Sequence, residues 1–380
     1  MKGTHGRSAR QVTSQRWLGA LGYLSIFVMP ALFLIGAITE QPWLAFGAVV
    51  LVFPLARVAF GALPAAVSPV WPESVATFLD RLPLTYVAAL PVCVLIGIAV
   101  AGARISVDGA GLAGLGFSLW MTLLFGTCVA HELLHRRDKR HAMLGHMLAG
   151  FCGYPALGME HLAHHARPGD TRLAEYPLKA ESVWQFAWRR MRRIGAELFG
   201  PGAPTWDLRA QMPNLVRMRA AMLVTALTWT SFGAIAGWPG ACLFLAMMIG
   251  VAFGIQLITY IQHWGLGDDS IPERIAYGRG WEDDCRFQAW VTLNISLHDR
   301  HHRDSRRPYY QLELSPDSPR LPAGYVLLMF ASLIPPVWRH VMVPAFVHWL
   351  RVPESPLSAG RRLTCFGIHG IHGIQATESK

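Results

Sequence analysis

The chain has 380 residues, of which 52% are hydrophobic and only 15% charged, where an ordinary soluble domain is about 25% charged. That deficit and a positive mean hydropathy exclude a simple soluble globule and point to an integral membrane protein. The net charge of +10 does not read as a nucleic-acid footprint, because the basic residues lie beside apolar runs, where the positive-inside bias accounts for them.

Residues 1–16 are polar and basic with no acidic residue. Residues 17–38 form an apolar run that suits a bilayer core of about 30 Å. The run is longer than the apolar core of a cleaved leader, so an uncleaved first span is expected. A short turn leads to a second span at 43–63. A loop at 64–81, carrying Glu73, Asp80 and Arg81, leads to a third span at 84–102, with Pro91 as a tolerated kink. The fourth span is 111–130. Residues 131–216 are polar and dense in Arg and His. Spans five and six, 215–235 and 240–260, flank the tight turn from Ala236 to Gly240. Residues 262–324 are polar again. Residues 325–350 are amphipathic and interrupted by Pro335, Pro336 and Pro344, so they are expected at the interface or packed on the protein. Residues 351–380 are expected to be a loose tail.

The apolar segments interleave with clustered histidines, so a single domain covering 1–380 is expected. Six spans return the chain to its starting side. Lys and Arg concentrate there, which makes that side cytoplasmic, and every clustered histidine falls on it. The expected fold is an all-α integral membrane protein with six transmembrane helices and a cytoplasmic histidine-rich cap.

Four histidine groups carry the chemistry. His131 and His135 sit in HELLH, where the fourth span leaves the lipid. His161, His164 and His165 form HLAHH, His263 stands alone after the sixth span, and His298, His301 and His302 form HDRHH. On a helix, positions i, i+3 and i+4 share a narrow arc, so each HxxHH presents three imidazoles to one side. Imidazole suits iron, zinc, copper or nickel rather than magnesium or calcium. Nine imidazoles exceed the capacity of one ion and imply two. HExxH alone is also the zinc-protease signature, but that reading leaves both HxxHH groups unexplained. A non-catalytic metal transporter would place ionisable groups inside its spans, and these spans are nearly free of them. Single histidines, among them His141, His146, His340 and His348, read as surface or supporting groups. Cys93, Cys128, Cys152, Cys242, Cys285 and Cys365 show no CxxC spacing, which favours reduced thiols.

HELLH, HLAHH and HDRHH on a six-span scaffold resemble the membrane di-iron superfamily of fatty acid desaturases and hydroxylases. The finer resemblance is to the alkane hydroxylase branch, with its xylene monooxygenase-like relatives. It is carried by TYIQHWGL around His263, by HHRDSRRPYYQLEL from His301, and by PRLPAGYVLLMFASLIPPVW at 319–338. The resemblance covers roughly residues 17–345. Two positions depart from the pattern. Gln262 stands where relatives often have Glu, and the second box has two residues, Leu162 and Ala163, between its first histidines where three are common.

The resemblance implies that His131, His135, His161, His164, His165, His263, His298, His301 and His302 hold two iron ions that use O2 to attack an unactivated C–H bond. The implied substrate is an alkane or alkyl-aromatic, with fatty acid or lipid desaturation as the alternative outcome of the same chemistry. A multi-pass, bacterial inner-membrane location follows. Glu132, Glu160, Asp299 and Asp304 are the acids expected to orient the imidazoles. The chain carries neither a GxGxxG fingerprint nor a cysteine cluster, so electrons are expected from a separate rubredoxin or ferredoxin with its reductase. Arg136, Arg137, Lys139, Arg140, Arg300, Arg303, Arg306 and Arg307 are the expected steering charges for that acidic partner. Arg189, Arg190, Arg192 and Arg193 read as a solvated, headgroup-facing stretch, with donor docking as the alternative.

Overall fold

The computed structural model describes residues 17–64, 69–104, 109–201, 203, 212–268 and 279–351. The expectations for residues 1–16 and for the tail beyond 351 lie outside them. Among the described residues the regular elements are helical, with two isolated bridges, Ala62 to Cys285 and Glu282 to Arg320.

Four helices are long and apolar enough to cross a membrane: α1 (Trp17–Ile38), α3 (Glu73–Arg104), α4 (Gly109–Leu134) and α8 (Pro213–His263). Helix α2 (Leu44–Phe60) is apolar but shorter. It includes a π-helical stretch, Ala48–Val52, and ends at Gly61, whose φ of 67° breaks it.

The fifth and sixth apolar segments are one continuous element, α8, broken at Ala236 and Gly237. Gly237 has φ 64°, a conformation glycine adopts without steric cost. The two limbs fold back on each other, with the Phe232 and Phe244 rings 5.0 Å apart. Both limbs flank the end of α5 (Lys139–Phe151). Thr225 Oγ1 on the first donates to Gly150 O at 2.8 Å, and Met248 on the second lies against Gly153.

The expected loop at 64–81 is corrected in its second half, because α3 begins at Glu73. Val75, Leu79, Leu82, Tyr86, Leu90 and Val94 are all buried and recur every three or four residues. One apolar stripe therefore runs from the polar approach into the span, and Pro83 and Pro91 are carried within the helix.

The polar segment after α4 folds into helices that cap the apolar bundle. Asp138 caps α5, accepting from Arg140 N at 2.8 Å. Helix α6 (Leu157–Ala166) carries the second histidine group. Helix α7 (Val183–Phe199) opens on a reciprocal capping box of Ser182 and Gln185, which satisfies two orphan donors. After α8 come the short helices α9 (Arg286–Val291) and α10 (His298–Arg303). Residues 325–350, of the two placements expected, are packed on the protein. They form α11 (Tyr325–Leu333) and α12 (Pro335–Arg351). Trp338, Met342 and Phe346 are buried with Trp264, Leu266 and Trp281 in one apolar cluster. That cluster pins the chain just beyond His263.

Candidate metal centre

The nine histidines converge from α4, α6, α8 and α10 into two groups. His131, His135, His161, His165 and His301 form one, and His164, His263, His298 and His302 the other, with ligand atoms within 4.8 Å of one another in each. The two HxxHH boxes are shared between the groups. Each sends its i,i+4 pair to one group and its i+3 histidine to the other, and the two boxes do so in opposite senses. The groups are therefore neighbours, and His165 stacks on His302 across the boundary at 4.4 Å between ring centroids.

The imidazoles face inward through Nε2. In the first group His135 and His161 stand 2.7 Å apart, His165 and His161 2.9 Å, and His301 and His165 3.0 Å. The Nε2 of His131 is buried with no hydrogen-bond partner. In the second group four contacts close a ring: His164 to His263 at 3.0 Å, His263 to His298 at 2.8 Å, His298 to His302 at 3.1 Å and His302 to His164 at 3.2 Å.

Protons alone do not satisfy this arrangement. The Nδ1 of His263 lies 2.8 Å from Arg279 O. A carbonyl only accepts, so Nδ1 carries the hydrogen and the Nε2 of a neutral ring turns its lone pair into the group. Burial, and then neighbouring imidazoles, hold His135, His161, His301 and His302 well below the usual imidazole range, and burial brings His165 down to about 4. Neutral rings with converging lone pairs repel one another unless a cation sits between them. This donor set fits a metal ion in each group, and neutral imidazole is the protonation state that ligation needs.

The surrounding residues explain how the rings are held. Trp281 N donates to Gln262 O at 2.8 Å and its Nε1 to Trp264 O at 2.8 Å, which fixes the backbone on either side of His263. Glu282 lies fully buried before α10 and accepts from Arg300 N at 3.1 Å, Ser315 N at 2.9 Å and Ser318 Oγ at 2.6 Å. It ties the first turn of α10 to the loop beyond it. Tyr176 stacks on His164 at 5.3 Å and tilts over His263 at 4.1 Å. Glu175 Oε2 lies 3.8 Å from the otherwise unpartnered His164 Nδ1. Tyr176, Glu175 and the Arg279 carbonyl were not apparent from sequence, because none belongs to a histidine motif.

The four acids named from sequence are placed differently. Glu132 pairs with Arg136 at 2.9 Å. In this position it serves an arginine rather than acting as the free general base of a protease. Glu160 pairs with Arg190 at 2.7 Å and accepts from Gln256 Nε2 at 2.9 Å and from Tyr154 Oη. Asp299 accepts from Arg279 N at 3.0 Å and pairs with Arg303 at 2.8 Å. Asp304 is exposed, 4.0 Å from Arg307.

Several of the expected steering charges are committed inward. Arg190 is buried between Glu160 and Glu175, at 2.7 Å from each. Arg189 is held by Glu181, Arg300 by Glu313, and Arg136 also by Asp80, whereas Arg193 pairs with the exposed Glu197 along the surface of α7. The solvated, headgroup-facing reading of residues 189–193 is therefore corrected for Arg190, which lies on the inner face of α7 with Val183, Phe186 and Ala187. Arg137, Lys139, Arg140, Arg192 and Arg306 remain exposed. Of the described cysteines all five are free, as their spacing suggested.

An apolar cavity meets both histidine groups. His131 and His161 from the first and His164, His263 and His298 from the second line one end of it. The remaining wall includes Met121, Leu124 and Phe125 of α4 and Ile255 and Ile258 of α8.

Long apolar helices that bring two groups of buried imidazoles to their ends define a membrane metal-site protein. Residues 110–347 match the family model described as fatty acid desaturase. Alkane 1-monooxygenase 1 of Pseudomonas aeruginosa is 30% identical over 344 residues, covering 83% of this chain and 86% of that protein. The xylene/toluene monooxygenase hydroxylase component XylM of Pseudomonas putida is 27% identical over 239 residues, 60% of this chain and 62% of its own length. Alkane 1-monooxygenase 2 of Alcanivorax borkumensis is 27% identical over 233 residues, 57% of this chain and 58% of that protein. The chain belongs to the fatty acid desaturase family, and it is an oxidoreductase similar to the alkane 1-monooxygenases.

Proposed function

We propose that the two histidine groups hold two iron ions, with His131, His135, His161, His165 and His301 as ligands at one and His164, His263, His298 and His302 at the other. The protein then hydroxylates a terminal or methyl C–H of a hydrophobic alkane or alkyl-aromatic with O2. The observation that carries this reading is the apolar cavity closed at one end by imidazoles of both groups. A hydrocarbon offers no hydrogen bond, so its reacting carbon is positioned by shape alone, and the Leu, Ile, Met and Phe wall supplies that shape.

When bound, iron would supply the O2 and redox chemistry that no side chain can. The protein's part is to hold neutral imidazoles in fixed directions, to fix the His263 tautomer through the Arg279 carbonyl, and to keep water from the reacting carbon. Gln262, whose Nε2 donates to Tyr325 Oη at 3.2 Å, is among the polar groups of the wall, with Thr259, Gln288, Thr292 and Tyr325.

The same reading makes residues 1–380 one domain, crossing a bacterial inner membrane six times. α1, α2, α3, α4 and the two limbs of α8 would be the crossings, with the histidine-bearing side in the cytoplasm. Electrons would arrive from a rubredoxin or ferredoxin with its reductase. Mass spectrometry of products from cells expressing the chain and fed alkanes, xylenes and fatty acids tests it. An alcohol whose oxygen comes from O2 is expected, and a new double bond in an acyl chain would instead make the protein a desaturase.

A further inference from the structure

A second, smaller cavity shares a wall with the one that meets the histidines. Its volume is ≈ 50 Å³, and it is lined by Phe53, Pro54 and Arg57 of α2, by Asp283, Cys285 and Gln288 around the start of α9, and by residues 324–327 at the start of α11. Gln288, Tyr325 and Val326 line both cavities, so the shared wall carries two polar side chains.

The small cavity holds a buried acid. Asp283 is fully buried. Its Oδ1 accepts from Arg57 and, at 3.0 Å, from Cys285 N. Its Oδ2 is buried with no partner among the described residues. A carboxylate oxygen in that position is unfavourable unless water or a proton reaches it, and burial holds the carboxyl above its usual range against the pull of Arg57. A water needs about 10–15 Å³ of such space, so the cavity has room for a few beside Oδ2. Its other end reaches solvent. The Arg57 side chain is 32% exposed and also pairs, at 3.0 Å, with Asp284, which lies outside the cavity.

Hydroxylation with O2 consumes protons: R–H, O2, two electrons and two protons give R–OH and one water. The donor protein supplies the electrons. Among the described residues no carboxyl lines the main cavity. Resting on the hydroxylase reading above, we propose that Asp283 and the small cavity beside it are the inlet for those protons. Asp283 gives a proton to water in the cavity. The proton passes Gln288 and the Tyr325 hydroxyl into the main cavity, and one from solvent, entering beside Arg57, restores the acid. Tyr325 Oη accepts from Gln262 Nε2 at 3.2 Å, which leaves its own hydrogen to donate.

The test uses the iron-loaded full chain in lipid nanodiscs with a rubredoxin and its reductase, and whichever of octane and p-xylene the unaltered chain hydroxylates. Asp283→Asn keeps an acceptor for Cys285 N but carries no acid. It should lower kcat by roughly a hundredfold, the low end of what a positioned proton donor contributes, leave KM for the hydrocarbon unchanged, and enlarge the effect of D2O on kcat. In Asp283→Ala, formate should restore part of the loss by taking the acid's place. Infrared difference spectra between the oxidised and dithionite-reduced protein should show a carboxyl band, shifted in D2O, that Asp283→Asn removes. Asp284→Asn breaks only the exposed pair and should leave kcat nearly unchanged. Should Asp283→Asn lose its iron, Gly324→Leu keeps the carboxyl and fills the cavity from a position where an added Cβ meets only Arg57, at 3.9 Å. It should lower kcat and enlarge the D2O effect in the same way. An unchanged kcat and D2O effect in iron-replete Asp283→Asn overturns the inference, as does an infrared band that survives that substitution. A loss with an ordinary D2O effect and no rescue by formate also overturns it and leaves Asp283 as a tie between α2 and α9. Absence of any alcohol from the unaltered chain overturns the hydroxylase reading itself, and the inference with it.

Discussion

The two histidine groups draw on the same boxes but are supported by different means. The first contains two i,i+4 pairs, His131 with His135 and His161 with His165, joined by His301. A helix orients such a pair through its own backbone. The second contains one pair, His298 with His302, and two single histidines, His164 and His263. The supports from outside the boxes gather on these singles: the Arg279 carbonyl on His263, Glu175 beside His164 and Tyr176 across both rings. Where the helix does not aim a ring, the surrounding chain has to. The first group should therefore tolerate changes in its surroundings better than the second.

The strongest break of the comparison is removal of a histidine. His161→Ala and His164→Ala are neighbours on α6 that serve different groups. Each should abolish turnover, and metal analysis should show a deficit at the altered group before the other. Equal loss from both would mean that the groups form and fail as one unit.

Next in size is Arg190. Its replacement by Met leaves Glu160 buried without its cation and Glu175 with only Arg167, at 3.6 Å, and breaking a buried pair costs about 3–5 kcal/mol. Thermal unfolding in detergent should show a large drop in stability. A melting temperature matching that of the unaltered protein would return Arg190 to the solvated role its sequence neighbourhood suggests.

The identity of the nine histidines was legible because spacing and hydropathy agree: three boxes and one lone His all fall just beyond apolar runs. The division between groups was not, because i+3 and i+4 differ by less than a third of a turn and only the packing of α6 and α10 beside the ends of α4 and α8 decides which ring goes where. Arg190 was hidden by the charges around it, although Val183, Phe186, Ala187 and Arg190 follow the spacing of one buried face. The early start of α3 was obscured because Glu73, Asp80 and Arg81 are residues as common in loops as in helices. The apolar stripe from Val75 to Leu82 runs between them.

A finer probe is Glu175→Ala. Loss of a carboxylate beside a metal-bound imidazole typically costs 10–100-fold in metal affinity, so iron at the second group should weaken by about that factor. Glu175→Gln should recover part of it. Glu132→Ala, which removes a partner of Arg136 rather than a support of an imidazole, should leave iron affinity nearly unchanged. If both variants lose iron alike, the contrast in support between the groups is wrong.

The smallest expected effect is at the exposed cations. Arg303 is paired with Asp299, so Arg306 is the cleaner test of donor steering. Arg306→Glu should slow reduction by an acidic donor a few-fold at low salt, with the difference vanishing once the Debye length falls below about 10 Å. An unchanged rate at low salt would assign the exposed cations to lipid headgroups.

The central claim is that the two groups form one two-metal centre. Iron analysis with Mössbauer spectroscopy of the purified, reduced protein addresses it most directly. The account predicts two irons per chain in distinct imidazole-rich environments, with His164→Ala removing one signal preferentially. A single zinc, or one iron spread over both groups, would contradict it.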